Sequence, residues 1–238
     1  MNAPDNLFAG IRAAIIDLDG TMMDTAPDFL VAINAMRAEL MLEPVDIAVI
    51  TRFVGKGTEN LVRSILGLDY PPAQVGERYE QALEAYMRHY SAINGKYSTL
   101  YAGVADGLRH MQEQGLRLAC VTNKPIAFAL PLLEAAGLLP AFEVVYGGDS
   151  LPRKKPDPMP LLQVCADFSL APHRVVAIGD SSNDALAARA AGCRVLNVPY
   201  GYNHGQPIHE VDSDGIVETL LDAARLISAA NPYQHVSQ

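Results

Sequence analysis

Short apolar runs at residues 13–16, 116–121, 144–146, 175–178 and 194–198 alternate with stretches whose apolar residues recur at helical spacing. Each run reads as a strand buried in a sheet interior. Helical stretches read over 103–114, 125–136, 159–168, 183–191 and 216–230. Gly115, Gly137 and Gly192 stand where a helix C-terminus is readily capped by glycine. Alternation of this kind folds into α/β architecture, a doubly wound parallel sheet with helices on both faces.

The alternation is broken once, after the first strand. Residues 27–42, 45–54, 58–66 and 72–93 all read as helices, and no strand is legible between Asp24 and Tyr101. The expected organisation is an α/β core of residues 1–24 and 99–238 with an inserted all-helical cap over 25–98. Hinges are expected near 24–26 and 97–102.

Composition narrows the function. Apolar residues make up 50% of the 238-residue chain and charged residues 19%, enough for a sizeable core. A net charge of −9 argues against a nucleic-acid binder, which needs a basic face. Cys120, Cys165 and Cys193 match no zinc spacing and read as buried, reduced thiols, as in the cytosol. None of the six histidines shows metal-ligand spacing. Residues 1–12 lack the pattern of a leader peptide, and no apolar segment is long enough to span a bilayer. A cytoplasmic monomer or homodimer is expected, with no nucleic-acid or membrane partner.

In a sheet of this type ligands sit beyond the carboxyl ends of the strands. The first strand runs into Asp17-Leu18-Asp19-Gly20-Thr21, the second into Thr122-Asn123-Lys124, and the run at 175–178 into Gly179-Asp180-Ser181-Ser182-Asn183-Asp184. Lys154-Lys155-Pro156-Asp157-Pro158 follows the run at 144–146. Four separate segments thus bring acids, a hydroxyl and a lysine to one rim. Buried carboxylates are costly unless compensated, and oxygen donors suit a hard cation such as Mg²⁺. The Thr122 hydroxyl and Lys155 ammonium suit phosphate oxygens. A carboxylate such as Asp17 can attack phosphorus once charge is neutralised, and Asp19 can protonate a leaving oxygen and then activate water.

These four motifs, in this order, resemble the haloacid-dehalogenase superfamily over essentially the whole chain. The resemblance implies a Rossmann-like core with a helical cap. It also implies an Mg²⁺-dependent phosphomonoester hydrolase working through an aspartyl-phosphate. Asp17 would be the nucleophile and Asp19 the general acid/base. Asp17, the backbone carbonyl of Asp19, Asp180 and Asp184 would form or support the metal site. Thr122, Asn123 and Lys155 would clasp the phosphoryl group, and the Lys-Pro-x-Pro pattern selects Lys155 over Lys154. The expected substrate is a small phosphorylated metabolite, 2-phosphoglycolate foremost. The alternatives are another sugar-phosphate phosphatase, a phosphosugar mutase, or a phosphoacceptor without turnover. In the insert, Arg52-Phe53-Val54-Gly55-Lys56-Gly57-Thr58 lacks the spacing of a nucleotide-binding loop. Capped relatives turn this loop to the active site, making Arg52 and Lys56 candidates for substrate selection.

Overall fold

The structure, a computed structural model, describes residues 7–231. The expectation of no leader at 1–12 therefore falls partly outside the described residues. In chain order the elements are β1 (Ala13–Ile16), β2 (Met23–Asp24), α1 (Ala26–Glu39), α2 (Ile47–Phe53), α3 (Thr58–Leu66), α4 (Pro72–Ile93) and β3 (Thr99–Leu100). There follow α5 (Val104–Glu113), β4 (Arg117–Val121), α6 (Ile126–Ala135), β5 (Val144–Tyr146), α7 (Met159–Asp167), β6 (Val175–Gly179), α8 (Ser182–Ala191), β7 (Arg194–Asn197), β8 (Gly215–Ile216) and α9 (Leu220–Ala229).

The main sheet has the order β5-β4-β1-β6-β7-β8, and its pairings are parallel. β1 lies in the middle, with Ile16 level with Cys120 on one side and Ile178 on the other. Residues alternate between the two faces. Ala14, Ile16, Leu118, Cys120, Val176 and Ile178 join one apolar cluster. Ala13, Ile15, Ala119, Val121, Val175 and Ala177 join the other. Helices cover both faces, which is why these strands read as unbroken apolar runs. All three cysteines are free and buried.

The cap has a core of its own. Phe29, Ile33 and Met36 of α1 pack with Tyr79, Tyr86 and Tyr90 of α4, at spacings that place each set on one helix face. Phe128 of α6 extends this cluster into the catalytic core. At the base of the cap, β2 and β3 pair antiparallel, Met23 with Leu100 and Asp24 with Thr99. This stem departs from the expectation of no strand before Tyr101; two residues per strand are too few to register as a periodic pattern. The buried Asp28 carboxylate accepts hydrogen bonds from Gly95 N (2.7 Å), Tyr97 N (2.7 Å) and Ser98 Oγ (2.5 Å), joining the entry of the cap to its exit. The last helix also starts later than expected. Gly215–Ile216 forms β8, and the Thr219 hydroxyl caps α9 by accepting from Asp222 N.

Candidate active site

The sheet ladder carries on past β1, with Asp17 N donating to Ile178 O (3.0 Å), so Asp17 stands at the strand's carboxyl end. Its Oδ1 accepts from Leu18 N (2.7 Å) and pairs with Lys155 Nζ (3.0 Å). Oδ2 has no hydrogen-bond partner among the described residues. Lys155 also donates to Val121 O and to Asp184 Oδ1, each at 2.6 Å. Its three N–H groups are thereby spent on the protein. Burial alone would lower the Lys155 pKa, but Asp17 and Asp184 more than reverse this and raise it.

Asp180 follows β6. Its Oδ1 accepts from the Thr21 hydroxyl (3.0 Å) and its Oδ2 from Tyr202 N (2.7 Å). Asp184, in the first turn of α8, takes part in a capping box: its Oδ2 accepts from Ser181 N and Oγ. Two glycines let the backbone approach these acids. Gly20 has φ +81°, and a Cβ there would lie 2.3 Å from Asp180 Oδ2; a Cβ on Gly179 would lie 2.2 Å from Asp184 Cγ.

One oxygen from each of Asp17, Asp180 and Asp184 lies within 4.8 Å of the others. Burial, reinforced by the neighbouring acids, drives the Asp17 carboxyl well above the usual range against the pull of Lys155. Burial and then the Asp184 charge push Asp180 up to about 7. Three buried carboxylates stand beside one ammonium, which pairs with Asp17 and Asp184 and leaves Asp180 without an ion pair among the described residues. An all-oxygen donor set with excess negative charge fits a divalent hard cation.

The Asp19 carboxylate is held elsewhere. Its Oδ1 meets Lys124 Nζ at 2.9 Å, and Lys124 donates also to the Tyr90 hydroxyl (2.6 Å) of the cap. The Lys124 ammonium lies over the Phe29 and Tyr90 rings, 4.5 and 4.9 Å from their centroids. A small cavity of about 20 Å³ at the cap–core junction is lined by Asp17, Asp19, Phe29, Tyr86, Tyr90 and Lys124, among others.

Thr122 is buried and lines the same cavity, its Oγ1 accepting from Lys124 N (3.2 Å). Asn123 has a different use from the one its motif suggested. Its side-chain amide donates to Gly55 O (2.9 Å) and Lys155 O (2.8 Å), so no side-chain donor is left for a phosphoryl oxygen. Of the lysine pair, Lys155 is buried and Lys154 is half-buried beside Gly57 of the cap. Residues 54–58 do face the site, but through backbone: Gly55 O accepts from Asn123 and from Asn183 (3.1 Å). The Arg52 and Lys56 side chains are exposed and do not line the cavity. Two contributors were missed in sequence, Lys124 and His204. The first closes the segment after β4, in which only Thr122 and Asn123 were expected to have roles. The second is a half-buried loop residue whose Nε2 lies 3.3 Å from Asn183 Nδ2.

Comparison with known proteins gives the family. The family model described as haloacid dehalogenase-like hydrolase matches residues 14–198. The phosphoglycolate phosphatase of Nitrosospira multiformis is 47% identical over 93% of this chain and 97% of its own length. That of Thiobacillus denitrificans is 42% identical over 92% and 97%. A crystal structure of a predicted phosphoglycolate phosphatase from Haemophilus somnus superposes with a TM-score of 0.86 at 30% identity, covering 92% of this chain and 98% of that one. The chain belongs to the haloacid dehalogenase-like hydrolase family. Among the described residues no helix is long and apolar enough to cross a membrane.

Proposed function

We propose that the protein is an Mg²⁺-dependent phosphatase that hydrolyses 2-phosphoglycolate to glycolate and phosphate through an aspartyl-phosphate. The observation that carries this reading is the state of Asp17. One of its oxygens is fixed by Leu18 N and Lys155, and the other is unengaged beside a cavity that Asp19 also lines. Names and identities of the relatives support the substrate.

In the reaction Asp17 Oδ2 attacks phosphorus, the ester P–O bond breaks, and Asp19 gives a proton to the departing glycolate oxygen. Asp19 then takes a proton from water, the water oxygen attacks phosphorus, and inorganic phosphate leaves with Asp17 restored. Lys155 holds Asp17 in place and offsets charge that accumulates as the two anions meet. The Thr122 hydroxyl and the backbone N–H of Asn123 serve the phosphoryl oxygens. Asp17, Asp180, the Asp19 carbonyl and, behind them, Asp184 would hold the cation, which supplies electrostatic stabilisation of the phosphoryl oxygens. Closing the cap over the cavity excludes water from the first step.

A panel of phosphate esters assayed with Mg²⁺ tests the reading. 2-Phosphoglycolate is expected to have the highest kcat/KM, above hexose phosphates and pyrophosphate. Conversion of a hexose 1-phosphate to its 6-phosphate without release of phosphate would overturn it in favour of a mutase.

A further inference from the structure

A substrate with both a phosphoryl group and a carboxylate needs a cation for each. The lysine at the phosphoryl end is committed: all three N–H groups of Lys155 go to Val121 O, Asp17 and Asp184. The charged residues of the cap loop are exposed and outside the cavity. Among the described residues, Lys124 is the one lysine or arginine that lines it.

Lys124 is unusual for a lysine. Its side chain is only 1% exposed, yet it makes a single ion pair. Two of its three N–H groups go to Asp19 Oδ1 and the Tyr90 hydroxyl, and the third has no acceptor among the described residues. A buried ammonium with a spare donor is costly, and the flanking Phe29 and Tyr90 rings offset only part of that cost. Its position is also informative. It touches the acid expected to protonate the leaving oxygen, and in 2-phosphoglycolate one methylene separates that oxygen from the carboxyl carbon.

We infer that Lys124, framed by Phe29 and Tyr90 of the cap, is the residue that selects the substrate by binding its leaving-group carboxylate. This rests on the proposed hydrolysis of 2-phosphoglycolate. Tyr90 and Phe29 come from cap helices, whereas Lys124 follows a core strand, so the carboxylate site is complete only with the cap in place. Phosphomonoesters of equal size with an uncharged leaving group leave the third N–H of Lys124 without an acceptor and are rejected on that ground.

The test compares 2-phosphoglycolate with ethyl phosphate, which replaces the carboxylate by a methyl group, on the full-length Mg²⁺-loaded enzyme. In the wild type the ratio of kcat/KM values is expected to favour 2-phosphoglycolate strongly. In Lys124→Met that ratio is expected to fall by about 30-fold or more, as when one partner of a buried charge pair is truncated. Taking the ratio cancels any effect on Asp19 common to both substrates. Lys124→Gln should behave as Lys124→Met and Lys124→Arg should retain most of the preference, which keeps the test open if the methionine variant does not fold. An unchanged ratio in the folded Met and Gln variants, with both substrates slowed alike, would overturn the role of Lys124 and leave the phosphatase reading standing. A wild-type ratio near one would overturn both.

Discussion

Two buried lysines divide the candidate site. Lys155 has three protein acceptors, all from the core, and two carboxylates beside it. Lys124 has one carboxylate, one tyrosine hydroxyl and two aromatic rings, and the hydroxyl and rings belong to the cap. At the proposed phosphoryl end the lysine is therefore held by core groups alone. The leaving-group end is shared across the junction and depends on it. On the proposed reading, chemistry common to many substrates sits at the strand ends of the sheet, and discrimination sits where cap and core meet.

The strongest way to break this division is at its core end. Asp17→Asn is expected to lower kcat by about 10⁴-fold or more while leaving the far-ultraviolet circular dichroism unchanged. Steady-state hydrolysis near the wild-type rate, in protein checked by mass for deamidation, would remove Asp17 from the mechanism.

The two lysines should differ in stability as well as in kinetics. Lys155→Met leaves Asp17 and Asp184 buried and unpaired, at an expected cost of about 3–5 kcal/mol in urea unfolding. Lys124→Met strands one carboxylate at the edge of a cavity and should cost about 1–3 kcal/mol. Equal losses would erase the distinction between the two ends.

Metal removal sharpens it further. A carboxyl whose folded pKa exceeds its unfolded value of about 3.9 stabilises the fold fully below that value. The contribution is lost as the pH rises through the folded pKa, which for Asp180 is about 7. Asp17 is shifted in the same direction. Chelated protein should therefore lose stability from this cluster between about pH 4 and pH 7. Mg²⁺ should accordingly raise Tm more at pH 8 than at pH 5, and a pH-independent increment would count against the cation's placement among these acids.

The smallest expected effect lies at the junction. Burial, and then the Lys56 charge, hold the His204 pKa below its usual value. Its stabilising contribution is present above about pH 6.5 and declines as the pH falls through the folded pKa. Protonation turns Nε2 into a donor facing the Asn183 amide. Faster hydrogen exchange in the 54–58 loop at pH 5 than at pH 7, after correction for intrinsic rates, is expected in the wild type and not in His204→Gln.

Much of the core was legible because its strands are buried on both faces. A run such as Ala13–Ile16 has no other natural reading, and the polar residues closing each run marked the rim. What escaped reading depends on long-range contact. Nothing in the sequence near Lys124 discloses that it meets Asp19, 105 positions earlier, or Tyr90 from the cap. The cap loop shows the complementary difficulty. Its charges were conspicuous in the sequence, yet what it presents to the site is the Gly55 carbonyl, which carries no residue-type signal.

Tyr202 links two matters that have so far been kept apart. Its backbone N–H holds Asp180, while its hydroxyl accepts from Thr25 N and Ala26 N and donates to Asp24 at the stem of the cap. One residue thus spans an acid of the charged cluster and the junction of β2 with α1. Linkage requires that any energy passed along it be reciprocal. If ordering Asp180 favours one cap position by a given factor, that cap position must favour the same ordering by the same factor. Tyr202→Phe cuts the hydroxyl end alone. A cation affinity unchanged by that substitution would show that the bridge carries no coupling, whereas a weakened one would make the cap's posture readable as a binding constant.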